Sequence, residues 1–258
     1  MELAYRDAIV LVTGASTGLG RAIAVGAAER GALAVVINFA NNAAEAETTA
    51  TLVRDAGAQA VLAQGDVGRD EECRRIVAAA EQWGRIDTLF NNAGITRLAS
   101  YDDLGSLDAE DFLDIYRTNV VGPYQMVRAA RSLLEASGGG AVVNTSSVAG
   151  VTGAGSSIAY SASKGALNTM TRSLAMALAP KIRVNAICPG FIDSPWFDKI
   201  GYAGGAAKMR EHIAQATPLK VASTPEETAE PALFLGSRAA RHITGETLLV
   251  DAGLHLGR

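Results

Sequence analysis

Tyr160 and Lys164 stand four residues apart in Tyr160-Ser161-Ala162-Ser163-Lys164, inside a stretch of helical periodicity. That spacing puts a phenol and an ammonium on one helix face. A free phenol titrates near ~10, too high for a base at neutral pH, and a neighbouring ammonium favours the phenolate by opposite charge. The pair is a candidate general acid/base. Ser146 and Ser147 follow the fifth apolar run, at the edge where open parallel sheets present side chains to ligands. A hydroxyl there can donate to a carbonyl oxygen while Tyr160 supplies or removes the proton and a hydride carrier completes a redox step. A nucleophilic serine is the competing chemistry. No GxSxG elbow encloses Ser147, and His212, His242 and His255 lie late in the chain without a partner pattern, which is not the arrangement of a hydrolase.

Such residues need a scaffold. Short apolar runs alternate with longer helical segments, the pattern of repeated βαβ units and a parallel sheet covered on both faces. Seven strands are predicted, at 8–12, 34–37, 60–64, 88–90, 141–144, 183–187 and 247–250. The expected fold is α/β, a single-domain Rossmann-like doubly wound sheet spanning residues 1–258. The first strand runs into Thr13-Gly14-Ala15-Ser16-Thr17-Gly18-Leu19-Gly20, with a helix expected over 21–30. Glycines permit positive φ and close backbone approach to a pyrophosphate, which a helix N-terminus then stabilises. Gly14, Gly18 and Gly20 are spaced GxxxGxG, not the commoner GxGxxG. Thr224-Pro225-Glu226-Glu227 predicts a capped helix start, and Pro231 a kink within that helix.

With those motifs the chain resembles the short-chain dehydrogenase/reductase family. Further matches fall in family order: Asp66-Val67 after the third strand, Asn91-Asn92-Ala93-Gly94 after the fourth, Ser147, Tyr160 with Lys164, and Pro189-Gly190. The resemblance covers essentially the whole chain. It implies that Asp66 contacts an adenine ring, that Asn92 and the turn through Ala93 and Gly94 border a ribose, and that Ile192 and Ser194 hold a nicotinamide amide. It selects Ser147 over Ser146 as the hydroxyl partner of Tyr160 and Lys164, and it gives Asn119 a water that contacts the lysine. The activity it implies is hydride transfer between NAD(P) and a carbonyl or alcohol. Within the family the chain looks similar to 3-oxoacyl-carrier-protein reductases, with sugar and cyclitol dehydrogenases on the same scaffold. A sugar-nucleotide epimerase and a non-catalytic dinucleotide-binding regulator are the alternatives from other classes.

The end of the second strand reads Ile37-Asn38-Phe39-Ala40-Asn41-Asn42. No acid is there to bind a ribose 2′-hydroxyl, which weakly favours NADP(H) over NAD(H), although Thr17 stands where NADP-dependent relatives often carry a base. Asn38, Phe39 and Asn41 are candidate contacts, as are Ser16, Thr17 and Leu19 in the glycine turn. A net charge of −4 and scattered basic residues argue against nucleic acid. No apolar run reaches the length of a bilayer span, and residues 1–7 lack a basic stretch followed by an apolar one, so a cytoplasmic location is expected. Cys73 and Cys188 are read as buried apolar residues, and no metal site is expected. The segment 194–217, with Trp196, Phe197 and Gly204-Gly205, looks like a substrate flap. Arg97 is a candidate contact for an acidic carrier protein. By resemblance the assembly is a homotetramer, built on long helices at 109–137 and 157–179.

Overall fold

The computed structural model describes residues 4–194 and 205–257. Seven strands form one sheet in the order β3-β2-β1-β4-β5-β6-β7, with every pairing parallel. They are β1 (Ile9–Val12), β2 (Ala34–Phe39), β3 (Gln59–Gln64), β4 (Thr88–Asn91), β5 (Gly140–Thr145), β6 (Ile182–Pro189) and β7 (Thr247–Val250). Between them run α1 (Gly18–Glu29), α2 (Ala43–Asp55), α3 (Asp70–Ala78), α4 (Ala109–Tyr116), α5 (Gly122–Ala136), α6 (Ala149–Thr152), α7 (Ile158–Leu178), α8 (Gly205–Ala216) and α9 (Pro225–Gly236).

Strand side chains alternate between the faces of a sheet, and β1 shows why both faces are covered. Val10 and Val12 join the cluster containing Ile23 of α1 and Leu233 of α9. Ile9 and Leu11 join the opposite cluster, with Ile76 of α3, Met126 of α5 and Leu178 of α7. From β1 the chain steps outward to β2 and β3, then crosses back to β4 on the other side of β1. The connections leaving β1 and β4 therefore diverge, and a crevice opens at the carboxyl edge between them.

Three departures from the sequence-based expectation bear on the site. Helix α1 starts three residues early, because Gly18 and Gly20 enter its first turn. Strand β2 runs two residues further, since the Asn38 side chain is satisfied inside the sheet: its amide donates to the carbonyls of Ala63 (3.0 Å) and Gly65 (2.9 Å), while its Oδ1 accepts from the Gly14 N–H (3.2 Å). The single helix expected over 109–137 is broken by a π-helical turn, Arg117–Val121. Pro123 has no N–H to give the carbonyl four residues back, which belongs to Asn119, and the ladder there widens. Helix α9, in contrast, continues through Pro231 and carries the predicted capping box at Thr224 and Glu227.

Asn38 ties β1, β2 and β3 together directly beneath the glycine turn. Asn38→Ala leaves one N–H and two buried carbonyls without these partners, and the expected loss of stability is about 2–4 kcal/mol, read as a lower urea midpoint at unchanged m-value.

Candidate active site

The crevice is a cleft of about 860 Å³. Every site residue predicted from sequence lines it except Gly20 and Asn119.

Gly14 and Gly18 hold φ of +61° and +56°, the left-handed region that glycine adopts without cost from a Cβ. Gly20 matters through contact: a Cβ there would lie 2.3 Å from the Gly14 carbonyl oxygen and 2.6 Å from the Asn92 amide nitrogen. Around this turn the Asn92 and Ala93 N–H groups both donate to Thr13 Oγ1 at 3.0 Å. The Asn92 side chain donates to the carbonyls of Thr13 and Gly14. Helices α2, α4, α7 and α9 begin on capping side chains, from Asn42, Asp108, Ser157 and Thr224. Helix α1 does not: Thr17 makes no side-chain cap, and its first turn has no acid. Gly18 and Leu19 of its first turn line the cleft, and an anion is what such a helix start accommodates. The glycine cradle and this uncapped start fit a dinucleotide pyrophosphate.

Asp66 and Val67 lie at the far end of the cleft, beside Phe39 and Asn41. The Asp66 carboxylate accepts from the Gly68 N–H at 2.8 Å, which holds the loop closed. At the other end Ser194 packs over Gly18, with its Cβ 3.5 Å from where a Gly18 side chain would begin. Gly190 presses on Asp251, so close that a Cβ would meet Asp251 Cβ at 2.8 Å.

Strand β5 ends at Thr145, and α7 returns across that edge. Gly150 lets α6 settle on α7, because any Cβ there would sit 2.5 Å from the Lys164 carbonyl carbon. The Lys164 side chain is buried, at 3% exposure, and Nζ donates to the Thr145 carbonyl oxygen at 2.8 Å. Burial pushes its pKa down to about 8, against a weaker opposing pull from the Cys188 thiol. Burial likewise pushes the Tyr160 phenol up to about 12, opposed by a hydrogen bond with Ser147. Lys164 Nζ stands 5.6 Å from the centre of the Tyr160 ring. The net direction is therefore opposite to the lowering expected from the neighbouring ammonium: desolvation is the larger effect in the protein alone.

The two serines separate cleanly. Ser147 hydrogen-bonds Tyr160 and accepts from the Ala149 N–H at 3.1 Å. The Ser146 hydroxyl turns away and donates to the Lys164 carbonyl at 3.1 Å, bracing α7 from below. Asn119 also braces. Its Oδ1 accepts from the Ile95 N–H (2.8 Å), and its amide donates to the Ile95 carbonyl (2.9 Å) and to Ser163 Oγ (3.1 Å). Its side chain thus secures the strand that leaves Gly94, where a Cβ would meet Asn119 Oδ1 at 3.3 Å and Lys164 Nζ at 3.5 Å.

Sequence reasoning missed the Thr145 carbonyl and the bracing by Ser146, since a backbone acceptor carries no residue-type signal. Arg97 lines the cleft, but its guanidinium pairs with Asp111 and Asp114, so its charge is already met. His255 does have a partner: its Nδ1 lies 2.9 Å from Asp251, far from Ser147 in role, as Asp251 packs behind Gly190. Cys73 and Cys188 are buried free thiols. Trp196, Phe197 and Gly204 of the expected flap lie outside the described residues, and its second half is α8, which Arg210 ties to Asp193 at 2.7 Å. Among the described residues no helix is long and apolar enough to cross a membrane.

The family model described as enoyl-(acyl carrier protein) reductase matches residues 14–255. The chain belongs to the short-chain dehydrogenase/reductase family. A protein named as ketoacyl reductase 2 of the granaticin polyketide synthase of Streptomyces violaceoruber is 41% identical, over 96% of each chain. An L-rhamnose 1-dehydrogenase (NAD(P)(+)) from a Sphingomonas strain is 35% identical, again over 96% of each. A solved structure from Burkholderia xenovorans, assigned to the same family, superposes with a TM-score of 0.89 at 41% identity, covering 97% of this chain and 98% of that one. As a family member the chain is an NAD(P)-dependent oxidoreductase that moves a hydride between a nicotinamide and a carbonyl or alcohol.

The buried lysine has a measurable signature. Unfolded, Lys164 keeps its proton to about ~10.4; folded, it releases it near about 8. Between those values the unfolded state binds more protons, so stability rises with pH there, by up to about 1.4 kcal/mol per pH unit. The buried thiols of Cys73 and Cys188, raised by desolvation, act in the opposite direction over this range, so the signature is a difference: between pH 8 and pH 10 the change in urea-unfolding stability is expected to be more favourable in the parent than in Lys164→Met.

Proposed function

We propose that this chain is a carbonyl reductase that uses Tyr160 as proton donor, Ser147 as the hydroxyl that orients the substrate oxygen, and Lys164 as the cation beside them. One observation carries this reading. The phenol is buried, hydrogen-bonded to Ser147 and held protonated far above neutral pH, which suits giving a proton to a substrate oxygen more than removing one.

The residues divide the work by position. The N-terminal turn of α1, with Gly14, Ser16, Thr17, Gly18 and Leu19, would hold the pyrophosphate. Asn41, Phe39, Asp66 and Val67 would hold the adenosine end, and Asn92, Ala93 and Gly94 the ribose between the two ends. Gly190, Ile192 and Ser194 would fix the nicotinamide amide. Gly20 and Asn38 act from behind, by shape and by pinning Gly14. Bound there, the cofactor supplies the hydride. Ser147 donates a hydrogen bond to the ketone oxygen and fixes its distance from Tyr160. As the carbonyl carbon gains the hydride, the oxygen would take the Tyr160 proton, and the Lys164 ammonium, 5.6 Å from the ring centre, would stabilise the resulting phenolate. The proton is then restored from solvent.

NADP(H) is the proposed cofactor, supported by the lack of a carboxylate at the end of β2, where Asn38 is committed to the sheet. A 3-oxoacyl thioester or another ketone with an apolar part is the proposed substrate class. The similarity to the granaticin reductase supports it, as do the exposed Ile95 and Val151 near the site. A sugar is the second reading, favoured by the likeness to the L-rhamnose dehydrogenase over the same span. The proposed assembly is a cytoplasmic homotetramer. Leu113, Tyr124 and Met176, exposed large side chains on α4, α5 and α7, support an interface on those helices.

An absorbance screen at the reduced-nicotinamide band, with NADPH and NADH against ethyl acetoacetate, an acetoacetyl thioester, L-rhamnose and cyclohexanone, tests the reading. Faster turnover with NADPH and a β-keto substrate is expected, with kcat reduced at least ~100-fold in Tyr160→Phe. A Tyr160→Phe variant as fast as the parent would overturn it.

A further inference from the structure

The segment that leaves β4, residues 95–108, passes over the connection between α6 and α7, and the two are stitched together at one side chain. Tyr101 Oη donates to the Gly153 carbonyl at 2.7 Å, with the Ser157 carbonyl further away at 3.3 Å. It accepts from the Gly155 N–H at 2.9 Å and pairs with Ser161 Oγ at 2.8 Å. A phenol has one proton to give and two lone pairs to receive. Gly153 takes the proton, and Gly155 and Ser161 fill the lone pairs, so the hydroxyl is saturated although the residue is 41% exposed. Two more contacts close the seam: the Ala99 N–H donates to the Ser156 carbonyl at 3.0 Å, and Thr96 Oγ1 pairs with Ser156 Oγ at 2.5 Å.

The seam bears directly on the proposed acid. Gly155 lies against the Tyr160 ring: a Cβ on it would stand 3.3 Å from Tyr160 Cδ1 and 2.7 Å from Ala149 Cβ. Ser161 is the next residue after Tyr160. Tyr101 therefore grips the chain on both sides of Tyr160, once at the backbone packed on its ring and once at its neighbour in α7. Below, the Ser157 hydroxyl caps α7 by accepting from the Tyr160 N–H, so the clasp also holds the turn that starts this helix. Gly155, within the Gly153–Ser157 connection, is part of the wall that covers the Tyr160 ring.

We propose that Tyr101 is a positioning residue for Tyr160: its hydroxyl fixes the Gly153–Ser161 wall that keeps the catalytic phenol buried and aimed at Ser147. The inference rests on the reading of Tyr160 as the proton donor, but its test needs neither substrate nor cofactor.

The chain has six tyrosines, and incorporation of 3-fluorotyrosine gives each a fluorine resonance. The signal that Tyr160→Phe removes identifies Tyr160. In Tyr101→Phe, which deletes one oxygen at a part-exposed site, the Tyr160 signal is expected to shift and its titration midpoint to fall, because water reaches a wall no longer held. Ser161→Ala, which removes one partner of the clasp, is expected to move the midpoint the same way by less. Leu52→Ala, at an exposed position of α2, leaves it unmoved. Faster deuterium exchange in residues 153–161 of Tyr101→Phe is the accompanying expectation. A Tyr160 midpoint unchanged in both Tyr101→Phe and Ser161→Ala overturns the proposal, whatever the fall in thermal stability. Failure of the substrate screen with an altered midpoint would instead sink the redox reading and leave the clasp standing.

Discussion

The arrangement depends on one buried cation. Lys164 is brought under the carboxyl edge of the sheet, where among the described residues its ammonium donates to the Thr145 carbonyl. An ammonium in such a place loses hydration that one neutral acceptor does not replace. The surrounding structure has to impose that position. Gly150 allows α6 and α7 to meet without a side chain between them, and Ser146 ties the Lys164 carbonyl to the residue after Thr145. The large apolar clusters on both sheet faces supply the driving force that keeps α7 there.

The same constraint explains why the site is built from glycines and carbonyls as much as from reactive side chains. Gly14, Gly20, Gly94, Gly150, Gly155 and Gly190 each stand where a Cβ would meet a neighbour at 3.3 Å or less. Several of those neighbours are backbone. The cleft is thus a place where main chains are packed nearly in contact, and a charged cofactor would be met mainly by N–H groups. That suits a pyrophosphate, whose charge is matched by a helix start as well as by a basic side chain. It also fits a chain whose net charge is negative.

Much of this was legible in the residues. Seven apolar runs and their spacing gave the parallel sheet, because strands buried on both faces have a pattern that needs no tertiary knowledge. Tyr160, Lys164 and the glycine turn announced themselves by type and spacing, and the resemblance they carried picked Ser147 over Ser146. What was not legible lies in the backbone and in long-range pairing. Nothing in residue type marks the Thr145 carbonyl as the lysine's partner. The π-helical turn at Asn119 follows from Pro123, but a proline near a helix start reads equally well as an ordinary first-turn residue. Asn38, a candidate ligand contact that lines the cleft, also carries a cross-strand bracing role that its residue type did not announce. The sign of the Tyr160 shift was misjudged for a related reason: proximity in sequence suggested a charge effect, while burial, visible only in the fold, is larger.

The central claim, that Lys164 is a desolvated ammonium whose proton is weakly held, can be measured at the residue itself. In protein labelled with 13C at lysine Cε, the resonance lost in Lys164→Met reports its titration. The account predicts a midpoint of about 8 in the free protein. A midpoint at the ordinary value of ~10.4 would contradict it, because the ammonium would then be hydrated and the packing that defines the site would be wrong.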